Sequence, residues 1–272
     1  MLAPGCEGES APEPVVRLGA TSAEWWAAHG VSVTQRGTLV IAPPRDRNEL
    51  NRYARLTRGH VAVGAAEIET LEPQLAQRFP AGLYFESEAH LDPRAALAQL
   101  ASGFDIGMPG EHAAIRTVDC RGLAARDALT ALRGVRGEML VLRCPSVTLT
   151  RPVRLLHPRI PLYIVPRGEG VYMLGATMIE NDGRGHVSAR SLLELLSAAY
   201  TIDPAFGEAE VLEIGVDARP AFEDNLPRVT VRGDQVYVNG LFRHGYLMAP
   251  VLARTAADYL LSGDKGELLR ED

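Results

Sequence analysis

Two arginines in the C-terminal third, Arg219 and Arg243, are the side chains best suited to chemistry on an anion. Arg219 precedes Pro220 directly after a β-rich run, Val211 to Val216. Arg243 lies in Asn239-Gly-Leu-Phe-Arg-His-Gly-Tyr-Leu-Met-Ala-Pro250, between a strand and a helix. A guanidinium at a strand end can grip a carboxylate bidentately, and glycines such as Gly240 and Gly245 let backbone N–H groups approach a planar ligand closely. On spacing alone the alternative stays open that both arginines are surface residues in turns.

Other catalytic spacings are absent from the sequence: it has no GxGxxG, GxxxxGK[ST], HExxH or GxSxG. Histidines occur singly, at 29, 60, 90, 112, 157, 186 and 244, so no metal site is expected. Cys6, Cys120 and Cys144 have no CxxC spacing and cannot all pair, which points to a reducing cytoplasm. The N-terminus carries no secretory signal, and Ala3 to Pro14 reads as a turn-rich acidic stretch with neither helix nor strand first.

The elements that must position these residues are read from periodicity. Helices are expected at Asp46 to Thr57, after Asp92-Pro93, at Ala189 to Tyr200 behind a Ser188 cap, and at Pro250 to Leu261, closed by Gly263. Short β-rich runs lie at Thr38–Ala42, Leu83–Phe85, Met139–Leu142, Leu162–Val165, Val171–Leu174, Val211–Val216 and Val236–Val238. Pro166 to Gly170 is a hairpin signal. Ala101 to Arg116 reads as a linker. Strands outnumber helices without regular alternation, so the expected class is α+β with a mixed or antiparallel sheet. With 272 residues, 46% hydrophobic and 23% charged, the chain has the composition of a soluble globular protein. A net charge of −6 without a basic block argues against nucleic-acid binding, and no apolar run approaches a membrane span.

Four ordered stretches carry a resemblance: Leu162-Tyr-Ile-Val-Pro-Arg167, Leu174-Gly-Ala-Thr-Met178, Ala218-Arg-Pro220 and Asn239 to Pro250. Gly37-Thr-Leu39, His90 to Pro93, Asp119-Cys-Arg-Gly-Leu-Ala124 and Arg133 to Glu138 agree with it. Together they resemble the flavin-dependent amine oxidases of the D-amino-acid-oxidase group, and within it the glycine oxidases of thiamine biosynthesis. The resemblance implies FAD extended across a Rossmann-like domain, its ring over a large sheet of a substrate domain. It implies that Arg219 grips a substrate carboxylate, that Tyr163 makes a second contact to it, and that Met178 and Met1 line the pocket beside Arg243. Gly122, Arg219, Gly240, Arg243, His244, Gly245, Tyr246 and Leu247 would face the cofactor. Substrate and oxygen would be the partners of a homo-oligomer.

On the same grounds, 1–30 is expected to be a remnant of the cofactor domain and of the substrate entrance. Segments 31–90 and 138–216 would form the substrate domain, 91–137 a shortened middle segment of the cofactor domain, and 217–272 its C-terminal segment. The sequence departs from the family in lacking the strand, GxGxxG turn and helix that cradle the diphosphate. Three readings follow: a flavoenzyme of this kind, a catalytically silent truncated relative that binds small carboxylates, or a different globular protein sharing only the sheet. Truncation also leads to the expectation that Thr117–Cys120 and Val236–Asn239 have unpaired edges and associate.

Overall fold

The computed structural model describes residues 1–104, 107, 116–157 and 162–271. Its main layer is an eight-stranded mixed sheet in the order Glu210–Ala221, Arg133–Arg143, Val171–Gly175, Leu162–Gly168, Val153–Leu155, Thr38–Ile41, Ala81–Phe85, Val61–Gly64. Every neighbouring pair is antiparallel except Thr38–Ile41 with Val153–Leu155. All four residues of Thr38–Ile41 are buried because the strand is covered on both faces. Leu39 and Ile41 join the core with Leu140, Leu142 and Leu155, whereas Val40 packs oppositely with Tyr53 and Phe85.

Helix Ala189–Ile202 covers the first of these faces through Leu195, Ala198, Ala199 and Ile202. Ser188 caps it as expected, its Oγ accepting from the Ser191 amide at 3.1 Å. Asp92 likewise caps helix Pro93–Ala101 through the Ala95 amide. The hairpin after Leu162–Gly168 forms where the turn signal places it, with positive φ at Gly168, Glu169 and Gly170. At Gly170 the demand is also steric, since a Cβ there would stand 2.9 Å from the Pro145 Cα.

The N-terminal stretch corrects its turn-rich reading. It folds as helices Pro4–Glu7, Glu13–Gly19 and Ser22–Ala28. Pro4 and Pro14 sit in first turns, where the missing N–H has no helical acceptor to lose, so prolines that look like breakers are compatible with helix starts. A second correction concerns the last helix, which begins at Gly245 and carries Pro250 inside it. Pro250 cannot donate to the Tyr246 carbonyl four residues back, so that carbonyl accepts instead from Trp26 Nε1 at 2.8 Å and Ser22 Oγ at 3.1 Å. The broken helical bond becomes the clamp between two helices.

A four-stranded sheet, Leu269–Glu271, Arg228–Arg232, Gln235–Asn239, Thr117–Asp119, packs on helices Glu13–Gly19 and Gly245–Ser262. The expectation of two unpaired strands is overturned for Gln235–Asn239, which is paired on both sides. Thr117–Asp119 is an outer strand, parallel to it. Arg219 also shifts: its strand runs to Ala221, so Arg219 lies within an edge strand opposite Val135, where Pro220 is tolerated. Most of the expected linker, 105–106 and 108–115, lies outside the described residues. No helix among the described residues is long and apolar enough to cross a membrane.

One buried carboxyl ties the first helix to the sheet. Glu88 is 1% exposed, and its Oε1 accepts from the Cys6 amide at 2.7 Å. Burial pushes the Glu88 carboxyl up to about 7 from an ordinary value of 4.5. The folded state therefore holds this proton more tightly than the unfolded chain, and stability falls as pH rises from 4.5 to 7. We expect Glu88→Gln, which retains an acceptor for Cys6, to stabilise the protein by about 3 kcal/mol at pH 8 and hardly at all at pH 4.5. Denaturant melts of both proteins at the two pH values check this, and an equal difference at both would refute it.

Candidate active site

A cavity of about 490 Å³ opens between the eight-stranded sheet, the first helix and the start of helix Gly245–Ser262. The sheet supplies its floor by strand alternation. Gly175 pairs with both Tyr163 and Met139, and Met139 pairs onward with Gly215, so these residues form one row across four strands. Two residues along, Val165 and Met173 extend the same apolar floor.

Arg219 stands at one end of the floor and has an uncommon environment. Among the described residues its one side-chain hydrogen bond goes to the Thr177 carbonyl, 3.3 Å away, and no carboxylate pairs with it. Burial and the nearby Arg243 both disfavour its charge. The guanidinium lies directly on Gly137: a Cβ there would stand 2.1 to 2.3 Å from its Nη and Cζ atoms. Thr177 is itself held from behind. Its Oγ1 accepts from the Glu138 amide at 2.9 Å and donates to Glu138 Oε2 at 3.0 Å, while Arg136 pairs with Oε1 at 2.8 Å.

Tyr163 also reaches the cavity, its hydroxyl accepting a hydrogen bond from the buried Arg154. Burial pushes this phenol well above its ordinary range, so it is a neutral donor. Arg243 lines the cavity but is not free: its Nη2 pairs with Glu7 at 2.6 Å and meets Ser10 Oγ at 2.9 Å. Burial opposes ionisation of Glu7, yet Arg243, His244 and Arg154 together hold its carboxyl below the usual range. His244 is buried, which lowers its proton affinity against the pull of Glu7 3.6 Å away.

Of the residues expected from the sequence, Met1, Tyr163, Met178, Arg219, Arg243, His244 and Leu247 line this cavity. Met178 stands at the rim, 54% exposed. Gly122, Gly240, Gly245 and Tyr246 are not on its wall. The Gly122 carbonyl accepts from Asn239 Nδ2, Gly240 packs under the Phe222 ring, and Tyr246 packs against Trp26 with its hydroxyl donating to the Pro93 carbonyl. Sequence reasoning missed Gly137, Met139, Met173 and Glu7. Only the cross-strand register would have revealed the first three, and only the tertiary ion pair the last.

An FAD ring would find complementary groups here. The amides of the first helical turn after His244 have no helical acceptors, and the buried Arg243 Nε lacks a hydrogen-bond partner, while His244 Nδ1 stands 3.6 Å from Glu7. The position where a Gly245 Cβ would stand has no atom within 4 Å. These donors suit a planar ring that carries negative charge when reduced. The diphosphate end has no matching glycine-rich turn in this sequence.

A sequence profile described as FAD dependent oxidoreductase matches residues 1–107 and 104–259. The thiamine biosynthesis oxidoreductase ThiO assigned in Rhizobium etli is 54% identical over an alignment that covers 96% of this chain and 83% of that protein. Among solved structures, glycine oxidase from Geobacillus kaustophilus superposes with a TM-score of 0.77 at 21% identity, covering 98% of this chain and 84% of that one. Iminodiacetate oxidase from Chelativorans sp. BNC1 gives 0.79 at 21% identity, covering 99% and 87%. At that identity the two structures speak for the fold alone, which is the α+β D-amino-acid-oxidase fold read from the motifs. The chain belongs to the FAD-dependent oxidoreductase family, and within it to the ThiO and glycine-oxidase kind.

Proposed function

We propose that this chain oxidises glycine or a similarly small amino acid, in the cytoplasm, as a step of thiamine biosynthesis. The observation that carries the reading is Arg219, a cation with no carboxylate partner among the described residues, facing a cavity with an apolar floor whose wall also carries Tyr163. Its Rhizobium etli relative bears a name from thiamine biosynthesis, and the Bacillus licheniformis relative, 24% identical, is a glycine oxidase.

When bound, FAD supplies the electron sink: the substrate carbon gives up a hydride and its amine a proton, water splits the imine into 2-oxo acid and ammonia, and oxygen takes the two electrons and two protons as hydrogen peroxide. The chain's own part is placement. Arg219 clamps the carboxylate bidentately and Tyr163 donates to it. Met139, Met173 and Met178 enclose the carbon and keep water from it. Arg243, His244 and the helix start would hold the ring edge through donors that favour negative charge. No wall residue need act as base if the amine arrives neutral; the wall carries two carboxylates, Glu7, already engaged by Arg243, and Glu194.

Segments 31–90 and 138–216 are read as the substrate domain, with 1–30, 91–137 and 217–272 forming the cofactor part. Self-association is part of the reading, supported by the edge strand Glu210–Ala221, where Val211, Leu212 and Ile214 are 48%, 43% and 51% exposed.

Purified protein mixed with FAD and desalted is expected to retain flavin absorption that bleaches anaerobically on adding glycine. A colourless protein that still takes up acetate would leave a small-carboxylate-binding module instead. Arg219→Gln should raise the KM for glycine about a hundredfold while leaving the fold intact by circular dichroism. Gly137→Ala should raise KM about tenfold by displacing the guanidinium that lies on it, without loss of thermal stability. An unchanged KM in either variant would refute the carboxylate role of Arg219.

A further inference from the structure

Arg154 is the most deeply buried arginine among the described residues, 1% exposed, and the oxidation just proposed assigns it no part. It lies between two tyrosines, with its guanidinium carbon 4.8 Å from each ring centroid. Its Nη1 donates to both hydroxyls, Tyr53 at 3.1 Å and Tyr163 more closely, and its Nη2 pairs with Glu9. A phenol has one proton and two lone pairs, so accepting from Arg154 leaves each tyrosine one proton to give.

The two tyrosines dispose of that proton differently. Tyr53 donates it to the Cys6 carbonyl at 2.7 Å, inside the protein. Tyr163 has no such acceptor among the described residues, and its side chain lines the cavity. Arg154 is not on the cavity wall, so its guanidinium meets the Tyr163 oxygen from the protein side and leaves the hydroxyl proton to be given toward the cavity.

We propose that Arg154 is a positioning residue for substrate: it holds the Tyr163 hydroxyl as a donor aimed into the cavity, so that Tyr163 and Arg219 grip one carboxylate from two sides. The assignment rests on the carboxylate reading of the cavity and deepens it. Arg154 touches neither substrate nor cofactor. Its effect passes through one oxygen atom, and a hydroxyl aimed this way favours an anionic oxygen over an ammonium at that end of the cavity. An amino acid is thereby oriented with its carboxylate, not its amine, between Tyr163 and Arg219.

The test is a calorimetric titration of the full chain with sodium acetate, together with KM and kcat for glycine in the FAD-loaded protein. Arg154→Met should weaken acetate binding about tenfold or more and raise KM similarly, with kcat little changed. Tyr163→Phe should do the same, and Arg154→Met added to Tyr163→Phe should weaken acetate no further. Arg154→Lys, which keeps a cationic donor beneath the phenol, should recover part of the loss. Tyr53→Phe removes a partner of the same guanidinium away from the cavity; it should lower the melting temperature and leave acetate affinity unchanged. If the Glu9 carboxylate, left with Arg52 alone, prevents Arg154→Met from folding, the Glu9→Gln, Arg154→Met double variant replaces it. Acetate affinity unchanged in Arg154→Met, a further loss in the Tyr163→Phe background, or an equal loss in Tyr53→Phe would overturn the assignment. Failure of the underlying reading looks different: Arg219→Gln would then bind acetate as the parent does.

Discussion

A guanidinium in a partly desolvated cavity, without a carboxylate to neutralise it, is the constraint around which the site is arranged. Such a charge is destabilising in the empty protein, because burial disfavours it and no ion pair offsets that. Arg219 is kept in place by shape more than by charge. Gly137 on the neighbouring strand leaves room for the flat guanidinium, and the Thr177 carbonyl holds one end of it. Behind Thr177, the buried pair of Glu138 and Arg136 fixes the residue whose carbonyl does this. The layers outward from Arg219 are therefore each satisfied except the innermost, which is left for an anionic ligand.

A second consequence of the same logic is visible at the other polar wall. Arg154 is also a buried cation, but both of its Nη atoms are engaged, by Glu9, two phenols and the Cys6 carbonyl. One cation is paired with a carboxylate behind a wall tyrosine; the other lines the cavity itself without a carboxylate among the described residues. Between them lies a floor of methionines and glycines, which is small and apolar and adds no competing hydrogen bonds. A ligand with one carboxylate and little else fits that contrast.

The helix start that closes the cavity depends on a bond the helix lacks. Pro250 frees the Tyr246 carbonyl, and Trp26 and Ser22 take it up from a helix more than two hundred residues away in sequence. This anchors the first turn after His244. A proline inside a helix ordinarily costs about 3 kcal/mol. Here the lost bond is replaced by one that joins the N-terminal helices to the cofactor side of the site.

Local signals in the sequence determined a good deal: the Ser188 and Asp92 caps, the Pro166–Gly170 hairpin, the α+β class, and the motifs that carry Arg219, Tyr163 and Arg243. These are legible because capping, turn chemistry and alternation act between residues a few positions apart. Their limits are also local, as at Pro4 and Pro14, read as part of a turn-rich stretch though each sits in a first helical turn, and at Pro250, read as a helix start though the helix begins at Gly245. The tertiary structure alone decided which residues meet across the sheet and between segments. Gly137 lies beneath Arg219 through strand register, Arg243 finds Glu7 across 236 residues, and Arg154 finds Tyr53 across 101. Such pairs leave no periodic trace in one sequence, since each is set by how separate surfaces pack and not by the conformation of any one segment.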